Sequence, residues 1–152
     1  MKRGEAPRAQ SRQAALQVLY AVDVGRFGED VLAPAAVDAA LTEVALHFEL
    51  PPGARDYARD LALGVARERE AIDRLITAHT TNWRIERMAA VDRNVLRLAV
   101  YEMGWAGMPA TVAIDEAVEL ARRFGSDPSP AFVNGVLDAV AHTLGAAAVD
   151  AS

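Results

Sequence analysis

Residues 55–79 read RDYARDLALGVAREREAIDRLITAH. Apolar side chains recur in this stretch every three or four residues, which places them on one face of an α-helix. A strand would instead alternate apolar and polar residues. The members of this apolar face are Tyr57, Leu61, Val65, Ile72, Leu75, Ile76 and His79. The stretch therefore predicts one long amphipathic helix that buries its apolar face against other helices.

Six further segments show helical spacing, and helix-breaking residues separate them. They are residues 7–24, 34–48, 85–88, 90–103, 111–124 and 129–144. Pro34 and Pro130 suit the first turn of a helix, and Gly145 is expected to end the last one. The pattern predicts an all-α protein of about seven helices, arranged as two packed three-helix bundles. We expect a single domain over residues 1–152, with sub-bundles at about 7–80 and 82–145.

Composition agrees with a helical protein and excludes several classes of site. The 152 residues are 52% hydrophobic but only 6% aromatic, whereas strands prefer aromatic and β-branched residues. The chain has no cysteine, which excludes disulfides, thiolate metal sites and a cysteine nucleophile. No apolar run approaches the roughly 20 residues that a membrane span needs. We therefore expect a cytoplasmic protein without membrane contact.

The charge is distributed unevenly. The net charge is −5, yet residues 1–12 hold four basic side chains against one acidic side chain, a balance of +3. These basic side chains are Lys2, Arg3, Arg8 and Arg12. A basic N-terminal arm can bind phosphate although the rest of the chain is acidic, because salt screens charges beyond about 8–10 Å. A solvated terminus without a ligand is the alternative interpretation.

Motifs of catalysis are missing from the sequence. It contains no glycine-rich phosphate loop, no His-Glu-x-x-His pair and no nucleophile elbow. Its histidines, His47, His79 and His142, lie 32 and 63 residues apart and on different predicted helices. We predict no catalytic residue, no metal site and no cofactor, and hence no enzyme. A small metal-dependent hydrolase is the alternative, and it would carry bound metal.

Arg97 lies within the apolar run Leu96–Val100. A buried arginine must be paired, and nearby carboxylates are available in Asp92, Glu102 and Glu116. The interpretation favoured here is an ion pair between two helices.

Asn134-Gly135 lies in the middle of the last predicted helix. Both residues are unfavourable inside a helix, so we expect a compensating interaction. Close packing of another helix at Gly135, with hydrogen bonds from Asn134 to a neighbouring backbone, is the preferred explanation.

Four sequence blocks together resemble one known family. They are Arg12-x-x-Ala15-Leu16-Gln17-x-Leu19-Tyr20, Leu96-Arg97-x-Ala99-x-Tyr101-Glu102, the run Val112–Ala121, and Phe124-Gly125 followed by Phe132–Asp138. In this order they resemble the NusB family of bacterial transcription antitermination factors, over about residues 8–140.

The resemblance implies a fold and a function. The family's fold is all-α, with two three-helix bundles. Its members are non-enzymatic factors that bind boxA RNA together with a small-subunit ribosomal protein, NusE. The complex lets RNA polymerase read through terminators in ribosomal RNA operons. By this resemblance the RNA-binding residues are Lys2, Arg3, Arg8, Arg12 and Phe132, and the partner-binding residues are Tyr20 and Asp92.

Two departures from the family pattern bear on RNA affinity. The N-terminal arginine cluster is sparser than in many relatives, and prolines occupy positions 128 and 130 before Phe132. We therefore expect weak RNA binding by the protein alone and tighter binding with its partner. A helical protein-interaction adaptor or a homodimer without strong RNA binding is the alternative.

The N-terminal domains of ribosomal-RNA cytosine methyltransferases share the Leu-Arg and Asn-Gly blocks. That sharing suggests structural roles for Arg97, Glu116, Asn134 and Gly135. The catalytic domain of those enzymes contains cysteines, and this chain has none.

Overall fold

The regular structure of the protein is helical. A computed structural model describes residues 5–25, 33–47, 49–80 and 84–151, and this part of the chain contains six α-helices, one short 3-10 helix and no strand. The all-α prediction is confirmed. The helices are α1 (Glu5–Val24), α2 (Pro34–His47), α3 (Ala54–Ala78), α4 (Ala90–Gly104), α5 (Ala110–Phe124) and α6 (Ser129–Ala151), with the 3-10 helix at Ile85–Arg87.

The predicted starts of α2 and α6 match the structure, whereas the predicted end of α6 does not. α2 begins at Pro34, and Pro130 lies in the first turn of α6, as predicted. The prediction that Gly145 ends the last helix is wrong, because α6 continues to Ala151. A glycine inside a helix costs about 1 kcal/mol relative to alanine, and the alanines at 146–148 have the best helix propensity of any residue. The favourable alanine run thus outweighs the unfavourable glycine.

The chain divides into two compact units, residues 1–69 and residues 70–152, and the division falls inside α3. Thr81 and Asn82, at the boundary predicted from the sequence, lie outside the described residues. Each unit is described by itself below.

In the first unit, α1 packs against α2. The side chain of Ser11 is fully buried, and its hydroxyl donates a hydrogen bond of 2.8 Å to the carbonyl oxygen of Ala54, the first residue of α3. On the surface, Arg59 pairs with Asp38 at 2.8 Å, and this hydrogen bond raises the pKa of the arginine above its ordinary value. The buried apolar residues of α1–α3 here are Ala14, Ala15, Leu16, Val18, Leu19, Val22, Val37, Ala40, Leu41, Ala54, Ala58, Leu61, Ala62 and Val65.

In the second unit, α4, α5 and α6 pack against one another pairwise. The buried face of α6 carries Val133, Val136, Leu137 and Val140, at the i, i+3, i+4, i+7 spacing that one helix face requires. The helical spacing seen in the sequence therefore does mark the core.

A buried ion pair joins α4 to the end of α3 within the second unit. The Arg97 side chain is 7% exposed, and its Nε and Nη2 donate to the two carboxylate oxygens of Asp73 at 2.9 and 3.1 Å. Its Nη1 donates to Asn94 Oδ1 at 3.2 Å. The predicted interhelical pair is present. The carboxylate of this bidentate pair comes from Asp73, which the sequence argument had not named.

The close helix packing predicted at Gly135 is wrong. Both residues are exposed, on the side of α6 that faces away from the buried valines. A Cβ placed on Gly135 would have no heavy atom within 4 Å among the described residues, so close helix packing does not explain this glycine.

Candidate functional site

Within the described part of the N-terminal arm, residues 5–12, Arg8 is the basic residue that is exposed. Its guanidinium carbon lies 5.3 Å from the centre of the Tyr57 ring, on α3 in the same unit. An arginine over an aromatic ring is held by cation–π attraction while its N–H groups stay available to other acceptors. The arm therefore presents a positioned cation at the surface. Lys2 and Arg3 lie outside the described residues.

Arg12 occupies a different environment one helical turn later. It is 5% exposed, beside the buried Ser11, and it interacts with other residues of the protein. A phosphate on the surface cannot reach a guanidinium that is covered in this way. The position of Arg12 thus supports a structural role and gives no support to the RNA contact predicted for it.

Amide side chains of α1 line a small cavity in the first unit. Gln10, Gln13 and Gln17 follow one face of α1, and together with Glu49 and Leu50 they surround about 120 Å³. Glutamine amides carry both donors and acceptors, which is what the polar edges of unpaired bases require.

Phe132 and Asp92 line one pocket of about 270 Å³ in the second unit. Its other lining residues are Met88, Ala89 and Pro128, and the walls are mostly apolar. The family resemblance assigns Phe132 to RNA and Asp92 to a protein partner. The structure brings these two residues together, so one ligand can contact both.

Local hydrogen bonds hold the Phe132 wall of the pocket in place. The backbone N–H of Phe132 donates to the Pro128 carbonyl at 3.1 Å, which fixes the first turn of α6. Just before it, the N–H of Ser126 donates to the hydroxyl of the buried Ser129 at 3.0 Å. The turn between α5 and α6 is thereby tied to the helix that carries the aromatic ring.

Arg93 holds the opposite wall. Its guanidinium donates to the carbonyl oxygens of Glu86 and Met88 at 3.4 and 3.2 Å. These contacts fix the 3-10 helix next to the first turn of α4, where Asp92 lies. Met88, Ala89 and Pro128 were not predicted as site residues. The proline at position 128 is a departure from the family pattern, whereas no sequence signal marks positions 88 and 89.

Tyr20, the other predicted partner-binding residue, is 42% exposed near the end of α1. It belongs to the first unit, and Asp92 belongs to the second. An exposed tyrosine combines apolar area with a hydrogen-bonding hydroxyl, which suits a protein interface. Glu116, predicted as structural, is half-buried on α5 and interacts with other residues.

Among the described residues, no group of three or more histidine, aspartate or glutamate side chains is arranged to hold a metal ion. No helix in that same part of the chain is long and apolar enough to cross a membrane.

The model of the NusB family matches residues 9–142 of this chain. The chain belongs to the NusB family. The matched region includes Arg12, Tyr20, Asp92 and Phe132, whereas Arg8 precedes it.

Relatives of this NusB-family protein are similar over nearly their full length. The chain is 47% identical over 138 residues to the transcription antitermination protein NusB of Anaeromyxobacter dehalogenans, covering 90% of this chain and 92% of the relative. It is 46% identical over 142 residues to the protein of that name from Sorangium cellulosum, covering 91% and 94%.

Solved NusB structures share the fold. T. maritima NusB superposes with a TM-score of 0.75 at 34% identity, over 89% of this chain and 90% of that one. A chain from a structure of the antitermination factors NusB and NusE in complex with double-stranded RNA superposes with a TM-score of 0.79 at 27% identity, over 91% and 98%. The helical fold of this NusB-family protein is therefore the fold found in those structures.

Proposed function

We propose that this protein is a transcription antitermination factor that binds boxA RNA together with the ribosomal protein NusE. The complex would promote read-through by RNA polymerase in ribosomal RNA operons, in the cytoplasm. Membership of the NusB family is the observation that carries this proposal, because relatives sharing nine-tenths of the chain are transcription antitermination proteins. A neighbouring structure that contains NusB, NusE and RNA supports the choice of partners.

The described residues suit such a role without any catalytic step. Arg8 is exposed, and its guanidinium would contact RNA phosphates. Phe132 is half-buried at a pocket, and its ring would stack on an unpaired base. Tyr20 would contact the ribosomal protein, as the family resemblance implies. In this scheme the protein works by binding and assembly alone, and we propose that it is not an enzyme.

RNA binding is proposed to depend on the partner. The described part of the arm presents one exposed arginine, and the buried Arg12 adds no surface charge. Since phosphate contacts dominate the affinity for nucleic acid, a single exposed arginine in the described part of the arm supports weak binding by the free protein. NusE would supply further contacts and bring the complex to its working affinity. Asp92 is proposed to lie where both ligands meet, because it shares a pocket with Phe132.

Fluorescence anisotropy tests the proposal. A labelled boxA RNA is titrated with the protein alone, with NusE alone and with both, at two salt concentrations. We expect weak binding by each protein, much tighter binding by the pair, and no such gain with an RNA of scrambled sequence. Absence of RNA binding in every mixture would favour a protein-only adaptor. Equal affinity of the free protein and the pair would refute the cooperative mechanism.

A further inference from the structure

The glutamine-lined cavity of the first unit has polar walls and a negative charge. Gln10, Gln13 and Gln17 of α1 line it, and Glu49 is the one ionisable residue among its described lining residues. Within the part of the chain that the structure describes, no hydrogen bond or ion pair engages these four side chains. Amide and carboxylate oxygens are hydrogen-bond acceptors. The cavity therefore offers several free acceptors and one negative charge to an incoming group.

The size and the apolar walls of the cavity narrow the class of occupant. Its volume of about 120 Å³ is well below the roughly 300–1,000 Å³ of pockets that take whole small molecules, so it holds a group the size of one side chain. Its other described lining residues, Ala14 and Leu50, are apolar and suit the methylene stem of a lysine or arginine. The charged head of such a side chain carries only hydrogen-bond donors, which match the free acceptors.

RNA fits this cavity less well than a basic protein side chain does. A phosphate group is repelled by the carboxylate of Glu49. An unpaired base stacks on an aromatic ring or on an arginine, and the described lining residues provide neither. The glutamine amides could pair with the edge of a base, but their oxygens accept equally well from an ammonium or guanidinium group. A basic side chain thus satisfies the whole set of lining groups.

The position of the cavity on α1 separates it from the basic arm. An α-helix turns about 100° per residue, so Arg8 lies about 140–180° around α1 from the three glutamines. Arg8 packs on Tyr57 of α3, on that other side of the helix. RNA held by Arg8 and the occupant of the cavity therefore approach α1 from different sides.

The helix face that lines the cavity continues to two exposed side chains. Tyr20 and Val24 follow Gln13 and Gln17 by seven residues each, which returns them to nearly the same angle around the helix. They are 42% and 45% exposed. A tyrosine and a valine beside a polar cavity give this face both apolar area and hydrogen-bonding groups, as protein interfaces have. Because the family resemblance assigns Tyr20 to the ribosomal protein, the cavity is continuous with the surface assigned to that partner.

We propose that the ribosomal-protein partner contacts α1 from Tyr20 to the cavity and inserts one lysine or arginine side chain beside Glu49. The inference rests on the proposed function and adds a charged part to the partner interface. Gln13, Gln17 and Glu49 then bind the partner together with Tyr20.

Two matched variants test the charge in the cavity. Glu49→Gln removes the carboxylate of the cavity, and Glu43→Gln removes an exposed carboxylate of α2 that does not line it. Both variants change the net charge equally, and circular dichroism checks that both are folded. The affinity for NusE is measured without RNA by isothermal titration calorimetry at two salt concentrations. We expect Glu49→Gln to bind about tenfold more weakly and with less salt dependence, and Glu43→Gln to bind like the wild type.

Variants of the partner locate the inserted side chain. Each lysine and arginine of NusE is replaced in turn by alanine, and each variant is titrated with the wild-type protein and with Glu49→Gln. We expect one replacement to weaken binding to the wild type about tenfold. The same replacement should have little further effect on binding to Glu49→Gln, because both changes remove the same contact.

The outcomes separate the cavity contact from the broader function. If Glu49→Gln binds NusE as tightly as Glu43→Gln does, or if its loss adds to that of every NusE variant, the cavity contact is refuted while the antitermination function stands. If Glu49→Gln instead lowers the affinity for boxA RNA measured without NusE, the cavity takes a base and the proposal fails. If the wild-type protein binds neither NusE nor boxA RNA, the proposed function fails as well.

Discussion

Replacement of Asp73 by alanine is predicted to destabilise the protein strongly. Asp73 accepts two hydrogen bonds from Arg97, whose side chain is 7% exposed. The substitution leaves the arginine charge buried and removes the carboxylate that accepts two of its N–H groups, while Nη1 keeps its bond to Asn94. A charge in that position can be solvated only if the helices separate or water enters the unit.

The size of the effect follows from the burial. Removing one partner of a buried ion pair costs about 3–5 kcal/mol in the free energy of unfolding. Asp73 is itself 22% exposed, so some water reaches the site, and we expect a value near the lower end, about 3 kcal/mol. For a chain of 152 residues this lowers the melting temperature by about 6–12 °C. Asp73→Asn, which keeps the shape and one acceptor, is expected to cost about half as much.

Urea and thermal unfolding followed by circular dichroism measure these changes. The control is Glu119→Ala, which breaks the pair of Glu119 with Arg122. That pair is shorter, at 2.6 Å, but its side chains are 56% and 61% exposed, so its loss is expected to cost less than about 0.5 kcal/mol. If both alanine variants lose the same stability, burial does not determine the strength of these ion pairs, and the reasoning fails.

Three further predictions concern α1 and α6. Arg8→Ala is expected to weaken RNA binding and to reduce the slope of log affinity against log salt by about 0.7, which anisotropy at several salt concentrations measures. Arg12→Ala is expected mainly to lower the melting temperature, which thermal unfolding measures. Ser11→Ala removes the hydrogen bond to the Ala54 carbonyl and should cost about 1 kcal/mol in urea unfolding, and no change would contradict that contact. Gly135→Ala should raise stability by about 0.5–1 kcal/mol, because space around it is open; a loss of stability would indicate packing there.

Periodicity predicted α6 because this helix buries a single face. The valines and leucine of α6 recur at helical spacing and are buried, whereas α4 is buried on all sides over residues 94–100. Spacing of this kind depends only on residues close in sequence, so one sequence suffices to detect it. The end of α6 was predicted wrongly at Gly145, because the stop signal of this glycine competes with the helix propensity of the alanines that follow it.

Pairs of residues distant in sequence were not predictable in this way. Because Arg97 lies within an apolar run, we predicted that it is buried and paired with a carboxylate, and the structure contains such a pair. The partner Asp73 lies 24 positions earlier, on another helix, and the candidates considered were all on α4 or α5. Arg8 and Arg12 look alike in the sequence, being four residues apart on one helix. Their different burial depends on where the start of α3 packs on α1, which is at Ser11. The local sequence pattern of α1 does not predict that contact.

The pocket shared by Asp92 and Phe132 changes how variants at either residue must be interpreted. The two residues are 40 positions apart, and the family resemblance assigned them to different ligands. Since they line one cavity, a ligand that fills it contacts both, and a substitution at one alters the site of the other. A loss of RNA affinity in a Phe132 variant therefore does not by itself separate RNA contact from partner contact. A double variant tests this coupling by RNA affinity measured with NusE present. If one ligand contacts both side chains, the losses from Asp92→Ala and Phe132→Ala will not add, because either change already weakens the same contact.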